Sequence, residues 1–99
     1  MSSSYYDRGG KPITMEQWAV GFGDRTLKTV AKDQIGDAKV STVWLGLDHE
    51  LGFDGPPLIF ETMIFGGEHD KFQERYSTEE QARARHLEIV AALREGREP

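Results

Sequence analysis

Ninety-nine residues, with 17 Asp and Glu against 12 Lys and Arg and no cysteine, fit one small domain and exclude disulfides, thiolate zinc sites and a cysteine nucleophile. The net charge of −5 argues against general binding to a nucleic-acid backbone, which needs clustered cations. No apolar run approaches the roughly 18 residues that span a bilayer, and MSSSYYDRGGKP lacks a signal-peptide core, so a membrane-free, cytoplasmic setting is expected.

In chain order, residues 1–12 read as a flexible arm broken by Gly9, Gly10 and Pro12, with Tyr5 and Tyr6 as its only anchors. A single domain over 13–96 follows, and 97–99 form a tail. The alternation of Trp18, Val20 and Phe22 in MEQWAVGF predicts a strand over 15–22, and Gly23-Asp24 a hairpin turn into a weaker strand over 25–32. Gly36-Asp37 marks the next reversal. AKVSTVWLGL, 38–47, is a clearer strand, with Val43, Leu45 and Leu47 on one side and Trp44 on the other. The acidic loop DHELGFDGPP leads to LIFETMIF, 58–65, a nearly continuous apolar strand ended by Gly66-Gly67. KFQERY, 71–76, has the charges of an edge strand. Ser77 with Glu80 has the capping-box form, and Ala82, His86, Ile89, Val90 and Leu93 recur at helical spacing up to Gly96.

The fold expected is therefore α+β: an antiparallel sheet of about five strands in meander-like order, with one C-terminal helix on one face. One helix covers only one face. Assigning Val43, Leu45 and Leu47, with some of Leu58, Phe60 and Ile64, to the helix side leaves Trp44, Ile59, Glu61, Met63 and Phe65 on the other. An open sheet normally shows polar residues to water, so an apolar set there points to an interface. The alternative is that the arm, through Tyr5 and Tyr6, folds over it. Buried Glu61 would need a partner.

Between Val40 and Asp70 there is no Lys or Arg, while Asp48, Glu50, Asp54, Glu61, Glu68 and Asp70 fall there. That segment reads as a solvated acidic rim or as a surface for a basic partner. Asp48-His49-Glu50 and Glu68-His69-Asp70 each pair an imidazole with carboxylates, a donor set that suits zinc. In a hairpin, however, they stand at opposite ends, some 25 Å apart at roughly 3.3 Å per residue. No metal or cofactor is assigned. His86 on the apolar stripe reads as a core-edge residue with one hydrogen bond. Phe53, in a loop bounded by Gly and Pro, suits recognition or caps the core.

The segment STVWLGLDHELGFDGPPLIFETMIFGG, followed by ERYSTEEQARARH, resembles a family of small uncharacterised actinobacteriophage and prophage proteins. The shared residues are Trp44 through His49, Pro56, Pro57, Phe60 through Met63, Phe65, Gly66, Tyr76, Ser77 and His86. The resemblance implies phage origin and the cytoplasm of a bacterial host, and no activity. The expectation is a non-enzymatic accessory protein that binds a second copy of itself or a host protein. Its contacts would be Trp44, Asp48, His49, Phe53, Glu61, Met63 and Phe65. Alternatives are a binder of a nucleotide signal with Trp44 stacked on the base, a metal-dependent hydrolase, and a minor virion component.

Overall fold

The computed structural model describes residues 4–47 and 55–99. Four antiparallel strands pair in sequence order: β1 (Thr29–Ile35), β2 (Ala38–Trp44), β3 (Phe60–Phe65) and β4 (Gln73–Tyr76). Helix α1 (Met15–Phe22) and the single turn α2 (Arg25–Lys28) precede the sheet, and α3 (Glu79–Arg94) follows it. The chain is α+β, with the C-terminal helix on one face of an antiparallel meander. The expected fifth strand is absent among the described residues.

The first expected strand is a helix because its start is capped. Thr14 accepts from the Gln17 amide while the Gln17 side chain accepts from the Thr14 amide. This reciprocal pair satisfies two otherwise orphaned donors. Trp18 and Phe22, four apart, then share one helical face and stack at 5.0 Å. Asp24 is not a hairpin residue either. Its carboxylate caps α2 through the Thr26 and Leu27 amides, which moves the strand start to Thr29. At the last helix the cap is Thr78 with Gln81, one residue beyond the expected Ser77 and Glu80.

Cross-strand register fixes the faces. Val40 lies opposite Ile64, Thr42 opposite Thr62 and Trp44 opposite Phe60, and directly opposed residues share a face. Val40 and Ile64 pack with Ile89 and Val90 of α3, so this set is the helix side. Trp44 belongs to it, and the expected placement of Trp44 on the open face is reversed. Val43 stands on the open side, opposite Glu61. Ile59 likewise lies in the core beside Trp44. The strand was legible; its parity was not, because a continuous apolar run carries no alternation to read.

Trp44 is sealed from both ends. Phe60, Tyr76 and Ala82 pack around it, with Tyr6, Ile13, Trp18 and Phe22 against the same cluster. Its indole Nε1 donates to the Tyr6 carbonyl at 3.0 Å, while Trp18 Nε1 donates to the Leu45 carbonyl at 2.8 Å. The arm is held there by the Tyr6 amide on the Gly46 carbonyl and a bridge between Tyr5 and Leu47. Thus residues 4–12 fold over the indole, which is the alternative to an open Trp44. Gly46 makes this possible. Its φ is +69°, and a Cβ there would stand 2.4 Å from the Trp44 ring and 2.6 Å from Trp18.

Only 2% of Trp44 is exposed, so Trp44→Ala would lose its transfer free energy and leave a cavity. We expect a loss of about 3–5 kcal/mol in urea unfolding. A loss below about 1 kcal/mol would mean that the indole is not the keystone of this packing.

Candidate binding surface

Two arrangements on this scaffold place chemically capable side chains together, one inside and one on the surface. The inner one is a polar row across the sheet beneath α3. Thr42, Thr62 and Glu74 stand in cross-strand register on β2, β3 and β4, and Asp33 of β1 stands on the same side. The helix supplies both clamps. His86 Nε2 meets Asp33 Oδ2 at 2.8 Å and its Nδ1 meets Thr42 Oγ1 at 2.7 Å. The two threonine hydroxyls are 2.5 Å apart. Arg85 donates to Glu74 at 2.6 Å, and Tyr76 Oη donates to the same carboxylate at 3.0 Å.

Asp33, His86 and Thr42 have the order of a carboxylate–imidazole–hydroxyl triad. Its geometry serves packing, because Thr42 and Thr62 are wholly buried and His86 is 1% exposed. A nucleophile must meet its substrate, and this hydroxyl has only protein around it. The sequence reading of His86 as a core-edge residue with one hydrogen bond is corrected: it is fully buried with two. All the buried side-chain polar atoms among the described residues have partners, as a buried network requires.

The surface arrangement is the sheet face away from α3. Three rows cross it: Val43, Glu61 and Arg75; Lys32, Ser41, Met63 and Gln73; Gln34, Lys39 and Phe65. Glu61, Met63 and Phe65 thus share the face expected of them. Glu61 is buried by its neighbours, accepting from Arg75 Nε at 3.0 Å and from Gln73 Nε2. Phe65 stays 46% exposed, with Lys39 Nζ 5.4 Å from its ring. Asp48, His49 and Phe53, the other expected contacts, lie outside the described residues. His69 stands with Glu68 and Asp37 around a cleft at the far end of the sheet. Among the described residues no three His, Asp or Glu side chains converge as on a metal ion, and no helix is long and apolar enough to cross a membrane.

Two groups tie stability to pH. Arg8 hydrogen-bonds Glu79 and, with Arg83, holds that carboxyl below its ordinary range. Burial pushes the Tyr76 phenol well above its ordinary range.

Comparison with protein-family models, curated proteins and solved structures finds no match to this chain.

Two predictions follow from the geometry. Thr42→Val keeps the volume but strands His86 Nδ1 and the Thr62 hydroxyl. It is expected to cost about 1–3 kcal/mol, and Thr42→Val with Thr62→Val less than the sum of the two single changes. Urea unfolding of the four variants checks this, and strict additivity would show that the hydroxyls are not coupled. For pH, the Glu79 carboxylate stabilises the fold above the unfolded carboxyl pKa, and that contribution is lost as pH falls through its lower folded value. The neutral Tyr76 phenol contributes below about pH 10, the unfolded value, and that is lost as pH rises. Arg8→Ala should flatten the acid limb of stability against pH and leave the alkaline limb in place. Thermal melts across pH read both limbs.

Proposed function

We propose that this chain is a non-enzymatic binding protein whose open sheet face receives an acidic, partly apolar surface of another protein. The observation that carries the reading is the composition of that face. Among the described residues, Val43, Met63 and Phe65 form an apolar diagonal, Lys32 and Lys39 stand beside it, and Arg75 is paired with Glu61. Beneath α3 the same sheet is fully occupied.

Charge decides between the partners. Among the described residues, a second copy seated face to face would set Lys32 and Lys39 against the same pair, while Arg75 and Glu61 are already paired within each sheet. Like charges across an interface cost several kcal/mol. A hetero-partner with carboxylates around an apolar centre relieves that repulsion, and a host protein fits better than a homodimer. A nucleic-acid strand is also anionic, but a chain of net charge −5 with a single exposed ring on this face makes a poor stacking groove. The resemblance to actinobacteriophage proteins supports a phage accessory role inside a host cell.

Trp44→Ala is not the probe for this surface, since it removes core. Phe65→Glu is, because the ring is half exposed, and its change in unfolding free energy should stay within about 1 kcal/mol. Leu87, 69% exposed on α3, supplies the matching control on the opposite side. Light scattering should find a monomer. Affinity purification from host cells should retain one partner with wild type and Leu87→Glu, and lose it at least tenfold with Phe65→Glu, as for a central apolar anchor. Binding should also weaken with salt. Equal loss in both variants, or a dimer abolished by Phe65→Glu, would reject the hetero-partner reading.

A further inference from the structure

On the helix side, the N-terminal turn, α1 and α2 border a second feature, a cleft open to solvent and independent of the open face. A cavity of about 400 Å³ is lined by Ile13, Gly21, Leu27 and Trp44, with Asp7, Arg8 and Gln17 as its polar groups. This volume and mix, mostly apolar with a few placed polar groups, is that of a small-molecule site. Gly21 forms part of the wall, where α1 packs directly against Leu27 and the Trp44 ring. A Cβ there would stand 3.1 Å from Leu27 Cδ2 and 3.2 Å from the Trp44 ring. Leu27 is left 43% exposed, an apolar side chain with surface still to lose to an occupant.

The polar groups choose the ligand's charge. Arg8 is spent: Nε and Nη2 bind the Glu79 carboxylate at 2.8 Å each, and Nη1 donates to the Leu27 carbonyl at 2.8 Å. Gln17 Oε1 is taken by the Thr14 amide. The hydrogen bonds that the Asp7 side chain accepts, from the Gly9 and Lys11 amides, both end on Oδ1. That leaves Oδ2 to meet a ligand. With Arg8 and Glu79 neutralising each other, the charge in the lining with no counter-ion among the described residues is the Asp7 carboxylate.

We infer that the cavity binds a small primary amine with an aromatic or branched aliphatic body. The ammonium group donates to Asp7 Oδ2, and the body rests on Ile13 and on the exposed side of Leu27. A nucleotide fits badly, since its phosphates would face Asp7 and find the one guanidinium already paired. The nucleotide-signal alternative loses its support at this site.

The test uses 2-phenylethylamine and its anionic counterpart phenylacetate, matched in body and opposite in charge, with thermal shift and equilibrium dialysis. The amine should bind saturably in the range of about 0.1–1 mM, ordinary for so small a ligand, and phenylacetate at least tenfold more weakly. Asp7→Asn keeps an oxygen for the Gly9 and Lys11 amides, so the fold should hold while amine affinity falls about five- to tenfold. Leu27→Trp fills the mouth at an exposed position and should abolish binding with the melting temperature kept. Equal binding of both probes, no binding of the amine at about 10 mM, or full binding retained in Leu27→Trp would each overturn the inference.

Discussion

The structure depends on how α3 is registered against the sheet, and a buried imidazole sets that register. His86 faces the sheet between two apolar clusters, one around Trp44 and Phe60 and the other around Val40, Ile64 and Ile89. A helix held by apolar contacts alone could slide or roll at little cost, since methyl groups accept many neighbours. An imidazole that must meet Asp33 on one nitrogen and Thr42 on the other has one position in which both bonds form. Moving α3 by one residue would strand the buried imidazole on both nitrogens, at about 1–3 kcal/mol for each lost bond. Arg85 on Glu74 repeats the constraint on the other side. The row contributes specificity of packing, and the clusters on either side contribute most of the burial.

With α3 in place, the Trp44 end of the sheet is closed by the N-terminal third of the chain. Phe22 and Trp18 come from α1, Tyr6 from the arm, and the indole N–H finds the Tyr6 carbonyl. Arg8 then ties the arm to the first turn of α3 through Glu79. An acidic residue at a helix N-terminus is favoured by the macrodipole, so one carboxylate serves the helix and the arm together. All the helices lie on the side of the sheet that holds Trp44. The exposed face and the cleft beside α1 are consequences of this one-sided arrangement.

Much of this was legible in the sequence, and the failures have local causes. Strand β2, strand β3, the edge strand β4, the Gly36-Asp37 turn and the stripe of α3 were all readable from pattern. Helix α1 was not, because Trp18, Val20 and Phe22 satisfy a period of two while Trp18 and Phe22 also satisfy a helical one. Thr14 with Gln17 was the signal that could have decided between them. Face assignment for Trp44 failed for a different reason. Val43 and Trp44 are both large and apolar, so only the pairing with Phe60 and Glu61 could order them. Glu61, Met63 and Phe65 share the face away from α3, as alternate residues of one strand do. The Asp33, His86 and Thr42 row joins residues 9 and 44 positions apart, and no local spacing reveals it.

Charge along the chain and charge on the surface also differ here, and the reason is pairing. The stretch from Val40 to Asp70 contains carboxylates and no cation, which in one dimension describes an acidic surface. In the sheet its strands are β2 and β3, the two central ones, and each is flanked by a strand that brings cations. Lys32 enters from β1, Arg75 from β4, and Lys39 from the first residues of β2, just ahead of the acidic stretch. The one carboxylate that β3 turns to the open face, Glu61, is then neutralised by Arg75 within the sheet itself. Among the described residues, Lys32 and Lys39 then remain beside Val43, Met63 and Phe65, on a chain whose total charge is negative. Net charge governs approach at distances beyond the screening length of about 8–10 Å, whereas contact is governed by the groups on the face. Under the proposed binding role, those few side chains would select the partner, and the net negative charge would act on its approach.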